Sequence, residues 1–302
     1  MRQDAPMLRR GLGAFHTDEP DLPSARDQLL GALRPWREAQ RRPAWRPVVR
    51  RGEPARGGGR SKFCGVAWRR PGEPAATCAH CGRPLQLFVQ LDLGELPAEL
   101  EGRYGEGVLQ LFYCVGGPEA DDHPECIGED GWAPFSDVAS LVRVVPGDPL
   151  APAPPGSPAD GAEGAEGAEG FDAAAIVGWE RFDDLPDPED HDLAGLWRSY
   201  DADLRTVSVR CPEVGLEATV GLDDLDVDDI AQAAGQDKLA GWPRWDQGRE
   251  YPACPTCGAT MRLVLQLDSE DHVPFMFGDL GIGHITQCPV HHDVVAFGWA
   301  GS

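Results

Sequence analysis

Apolar residues at Leu29, Leu30, Leu33 and Trp36 recur at helical spacing behind Ser24, a good N-cap, and predict one short helix that Pro35 limits or kinks. Elsewhere the apolar and aromatic positions form short runs bounded by turn residues. These predict strands at 85–91, 108–113, 141–145, 175–179 and 206–209, and a further apolar run covers 261–267. Two stretches carry no such pattern. Residues 1–23 hold three prolines and no periodicity, and 146–170 holds a proline-rich run followed by three Gly-Ala-Glu triplets, the composition of a linker. The acidic run 222–230 reads as a helix N-terminus or a calcium loop, although it lacks the spacing and the glycine of an EF-hand.

The pattern repeats. Lys62, the pair Cys78 and Cys81, and Gln90-Leu-Asp92 recur 176 positions later as Lys238, Cys254 and Cys257, and Gln266-Leu-Asp268. Gly107–Cys114 matches Gly281–Cys288 at an offset of 174. The expectation is an internal duplication and an α+β fold of two related antiparallel β-rich halves. The divisions expected are a basic N-terminal segment with one helix (1–57), a first repeat (58–148), a linker (149–170) and a second repeat (171–302).

The cysteines change the picture most. Cys-x-x-Cys, about thirty residues, then Cys with His three positions on is how a four-ligand zinc site is spaced. In the second half the ligands are Cys254, Cys257, Cys288 and His291, with His292 the competitor for the fourth place. In the first half Cys78, Cys81 and Cys114 match, and Cys126 is the expected fourth, with His123 competing and His80 directed away from the turn. Four protein ligands leave no position for water or substrate, so both zinc sites are expected to be structural. Cys64 and Cys211 are left over as small buried hydrophobes.

Charge adds an asymmetry. The 302 residues carry a net charge of −23, distributed as +9 over residues 1–70 and −32 over the remainder. A body at −32 repels phosphate backbones, so nucleic acid is not the expected partner. The basic segment is expected to dock on its own acidic body. No apolar run is long enough to span a bilayer, no apolar signal segment opens the chain, and nine cysteines without a secretory context fit metal rather than disulfides. A cytoplasmic protein is expected.

The motifs Lys238-Leu-Ala-Gly-Trp-Pro-Arg-Trp245, Cys254-Pro-Thr-Cys257-Gly, Gly278–Cys288 and Ala296-Phe-Gly-Trp299 resemble the bacterial YwqG-like family, a domain of unknown function. Ser61–Gly65, Cys78–Gly82 and Leu109–Cys114 resemble it in the first half, although Cys64 and Val66 stand where many relatives carry Gly and Pro. The resemblance implies an α+β architecture with two related β halves and a metal site. More remotely, the chain is similar to the programmed-cell-death-two and Tsr4 chaperones of a basic ribosomal protein. No Gly-x-Ser-x-Gly, His-Glu-x-x-His or phosphate-binding loop is present. The expected function is therefore a zinc-stabilised acidic binding module for a basic protein client, as chaperone, adaptor or immunity-type partner. The alternative is an enzyme, possibly a hydrolase, with Asp268, Asp271 or His272 working in a groove between the halves.

If both cysteine sites take zinc, elemental analysis of protein purified without added metal will find two zinc ions per chain. A value near zero, with all nine thiols titrating freely, overturns the assignment.

Overall fold

The structure is a computed structural model that describes residues 24–54, 60–70, 72–116, 126, 133–146, 151–152 and 170–301. Residues 1–23, His123 and all of the expected linker except 151–152 and 170 lie outside the described residues.

Helix α1 (Ala25–Ala39) starts where the pattern places it, with the Ser24 hydroxyl accepting the Asp27 amide at 3.1 Å. Pro35 lies inside the helix without ending it, since it forfeits only its own amide bond. The strands are β1 (Arg42–Arg51), β2 (Lys62–Phe63), β3 (Trp68–Arg69), β4 (Gln86–Asp92), β5 (Val108–Tyr113), β6 (Ser140–Val145), β7 (Ala151–Pro152) and β8 (Ala174–Asp184). They continue as β9 (Trp197–Asp201), β10 (Thr206–Cys211), β11 (Leu216–Gly221), β12 (Lys238–Ala240), β13 (Arg262–Asp268), β14 (Ile282–Gln287) and β15 (Val295–Ala300). The protein is thus mostly β, with few helices. In the acidic run Asp226 caps a single helical turn, Val227–Ile230, so the helical reading of that run is the one realised.

Ten strands form one antiparallel sheet in the order β15-β14-β13-β12-β1-β8-β2-β4-β5-β6. The outer strands β15 and β6 come back against each other, so the sheet nearly closes. One core fills it from both sides, with Phe88 and Tyr113 against Phe275 at 5.2 and 5.3 Å. The Trp299 indole donates to the Tyr113 hydroxyl across the closure at 2.9 Å.

The central strand β1 was not expected. Its arginines and its prolines Pro43 and Pro47 argue against a central position, because proline has no amide to give a ladder. The cost is limited because β12 pairs with β1 only at Ala44 and Trp45, leaving most of that edge outside any ladder. Arg42 covers the face of Trp242 at 3.2 Å. The basic segment is therefore part of the sheet rather than an appendage upon it.

On either side of the β1–β8 pair the same geometry is written twice. Lys62 stands opposite Gln90 and Lys238 opposite Gln266. Register shifts fall between Leu87 and Val89 on one side and between Leu263 and Leu265 on the other. Gln90 accepts the Trp68 amide at 3.0 Å, and Gln266 the Arg244 amide at 2.9 Å. Both lysines are fully buried. Lys62 meets Glu53, just past β1, and Lys238 meets Asp184, the last residue of β8, at 2.8 Å. Each acid also accepts an amide four residues after its lysine, from Val66 and from Trp242. Between lysine and that amide lie Gly65 and Gly241 at φ 72 and 76, where an added Cβ would collide with the same carboxylate.

Outside this sheet, β11-β10-β9 form a three-stranded sheet between β8 and β12. Val207, Val209, Cys211 and Val220 pack on Leu29, Leu33 and Trp36 of α1, a second core.

Burial lowers the Lys238 pKa against the pull of Asp184, whose side chain is 1 % exposed. Removing the cation leaves an unpaired buried carboxylate, which costs about 3–5 kcal/mol. Lys238→Met should therefore lower denaturation stability by that order. Lys62→Met should cost clearly less, since the Glu53 side chain is 47 % exposed and keeps its water. Equal losses in urea titrations would contradict this account.

Candidate metal centres

Each Cys-x-x-Cys closes a tight turn. In the first, the Cys78 amide donates to the Arg83 carbonyl and the Gly82 amide to Cys78, both at 2.8 Å. In the second, Cys254 donates to Ala259 and Gly258 to Cys254, again both at 2.8 Å. Gly82 and Gly258 both sit at φ 72, the left-handed region that glycine enters without strain. The third cysteine in each half follows the end of a strand, Cys114 after β5 and Cys288 after β14. The fourth side chain lies further along the chain, His291 between β14 and β15 and Cys126, a helical residue, between β5 and β6.

The eight side chains gather into two groups, Cys78, Cys81, Cys114 and Cys126, and Cys254, Cys257, Cys288 and His291, whose ligand atoms lie within 4.8 Å of one another. The separations are 3.8 Å for Cys78–Cys126, 3.7 Å for Cys81–Cys114, 3.6 Å for Cys257–Cys288 and 3.8 Å from His291 Nδ1 to both Cys254 and Cys288. A zinc tetrahedron with sulfur bonds of about 2.3 Å has edges of about 3.8 Å, so both groups fit such an ion. His80 is exposed and outside the group, as expected. His292 is also outside, packed against Gly105 of the first half.

Electrostatics favour the thiolate at Cys254 and Cys288 of the second group, while Cys257, despite the Ala259 amide, is raised by its neighbours Cys288 and Cys254. Burial acts to raise the Cys254 thiol, but the Cys257 and Thr256 amides and the His291 ring outweigh it and bring the pKa to about 6. The Val290 and His291 amides donate to Cys288 Sγ at 3.4 and 3.3 Å. In the first group burial pushes Cys114 up to about 12. Each group sits in its own small apolar cluster apart from the main core. The second cluster offers little besides Met261, Ala296 and the cysteines themselves.

A third group was only half visible in the sequence. His272 Nδ1 donates to Asp237 Oδ2 at 3.0 Å and lies 3.5 Å from Asp271. Burial pushes the Asp237 carboxyl up to about 6. Burial acts to lower the His272 ring, but the Asp237 hydrogen bond and charge raise it. The ring stacks on Phe63 of the first half at 4.9 Å. Asp268, an expected candidate, is outside the group and accepts the Gln236 amide at 2.7 Å. Asp237 itself was missed, although its place directly before the repeated Lys238 marked it. Cys64 and Cys211 are buried, and burial raises both thiols, Cys64 to about 12, so neither is set up as a nucleophile.

The sequence pattern of the family described as Domain of unknown function (DUF1963) matches residues 61–287. The chain belongs to this family. The match begins at Ser61, directly before Lys62, and ends at Gln287, so it spans both Cys-x-x-Cys turns of the DUF1963 protein but stops short of Cys288 and His291. No curated protein matches the chain.

Cys257→Ser removes a ligand from a group that has almost no apolar core of its own. It should release one metal equivalent and lower the melting temperature by ten degrees or so, as loss of a metal does to a small site. His292→Ala should leave metal content unchanged. Because thiolates and a neutral ring are needed, protons compete with metal, and bound metal should fall as pH drops below about 6. Full metal content in the serine variant would overturn the assignment.

Proposed function

We propose that this protein is a zinc-stabilised binding module whose acidic surface engages a basic protein partner, as a chaperone, adaptor or immunity-type protein of the cytoplasm. The charge distribution carries this reading. The −32 of residues 71–302 is concentrated in part in residues 185–234, between β8 and β12, with thirteen acids against three arginines. Such a surface attracts cationic proteins and speeds encounter. Both cysteine groups fill all four places of a tetrahedron with protein atoms, which supports a structural role for zinc and leaves the surface to act.

The matched registers, bulges and lysine turns support descent of the two halves from one duplicated unit and a place among YwqG-like proteins. The expected division into a basic segment, two repeats and a linker is kept as a description of sequence. Structurally its first segment and both repeats build one sheet. The described residues hold no helix long and apolar enough to cross a membrane.

A second reading is favoured by one observation, the buried Asp237 behind His272, the arrangement that orients a general base. In it the protein is an enzyme, possibly a hydrolase, working where the β13–β14 loop meets Phe63.

Affinity purification of the tagged full chain from its own cells, at low and at high salt, separates the two. A stoichiometric basic protein held at low salt and released at high salt supports the first reading. Absence of any such protein, with a turnover lost in His272→Ala, replaces it with the second.

A further inference from the structure

Among the described residues strand β9 (Trp197–Asp201) pairs with β10 alone, so one of its edges has no strand partner there. Its register with β10 puts Arg198 and Tyr200 opposite Val209 and Val207, on the side that α1 covers over β10 and β11. At β9 that cover has ended. Tyr200 is 57 % exposed, and Trp197, facing the other way, is 42 % exposed. A cavity of about 380 Å³ opens there, lined by Pro188, Leu196, Trp197, Arg198, Tyr200 and Glu189 among others. An unpaired strand edge beside a lined groove is the geometry that accepts an extended peptide as an added strand. At the opposite edge, β11, the exposed residues are the polar Glu217 and Thr219.

Charge decides the occupant. Among the described residues Glu189, Asp201 and Asp203 form no ion pair, and Asp192 is paired with Arg249. Among the described residues Arg198 and Arg210 also form no ion pair; Arg198 is held by the Tyr200 hydroxyl at 2.8 Å and the Pro188 carbonyl at 2.7 Å, and Arg210 lies over the Trp197 ring at 4.9 Å. A second copy of this chain would bring a second net −10 from residues 185–234 to the same place, so self-pairing is opposed. We infer that the β9 edge is where an extended, lysine- or arginine-rich segment of a partner protein adds as a fourth strand to the β9–β11 sheet, with one side chain in the cavity beside Tyr200. This rests on the basic-partner reading and gives it a location.

The test uses the full-length protein and a fluorescent peptide of alternating arginine and valine, measured by anisotropy at low salt. Two further peptides carry backbone N-methyl groups on the odd or on the even residues only. Trp197→Ala with Tyr200→Ala should weaken binding at least tenfold. One N-methylated peptide should fail while the other binds, because an added strand uses alternate amides. Leu280→Ala, a 65 % exposed residue in the turn between β13 and β14, is the control and should bind as the wild type. Both replaced aromatics are exposed, so the melting temperature should not move. Wild-type affinity in the double variant, or equal binding of both methylated peptides, overturns the β9 site while leaving the basic-partner reading standing. No saturable binding by the wild type, together with no basic protein in the purification above, overturns both.

Discussion

A buried ammonium needs a carboxylate within reach, and in the large sheet each lysine takes one from outside its own short strand. Lys62 and Lys238 start short strands, β2 and β12, that bridge the central pair to the outer strands. Their acids, Glu53 and Asp184, come from the ends of β1 and β8 instead. Neither lysine can be buried until the central pair is in place, so the sheet assembles as a unit. The glycine beside each carboxylate follows from the same constraint, since the acid occupies the space a Cβ would need.

The metal groups lie outside this arrangement. They sit where β4 with β5, and β13 with β14, run past the sheet into turns that carry few apolar residues. A metal ion, if bound, would join the four side chains of each group. The cysteines are spaced alike in the two groups while the fourth side chain differs. Cys126 and His291 stand at different distances along the chain from Cys114 and Cys288, and a zinc ion would ask only for a donor at the right vertex.

Much of this was legible in the sequence, because ligands and strand registers leave periodic marks. The equal offsets of Lys62, Cys78 and Gln90 foretold equal registers, and the Cys-x-x-Cys spacing foretold both groups. What could not be read was whatever depends on distant pairing. Strand β1 looks like a soluble basic stretch, and only its pairing along β8 makes it central. Asp184, Asp190 and Asp237 look like members of acidic runs. Burial distinguishes them, with Asp190 accepting the Trp245 indole at 3.0 Å and the Tyr251 hydroxyl at 2.9 Å. That the two expected repeats share one continuous sheet and one aromatic core is likewise a matter of distant pairing.

The position of β1 bears on how the protein is made. Its partners β8 and β12 follow far later in the chain, the last ending at Ala240. At synthesis rates of about 5–20 residues per second, β1 waits roughly ten to forty seconds outside the ribosome before its neighbours exist. A long apolar strand would pair wrongly during that interval. Four arginines and two prolines among its ten residues keep it solvated and poor at joining other strands until β8 arrives. The composition that hides this strand from a sequence reader is the same composition that protects it while it is alone.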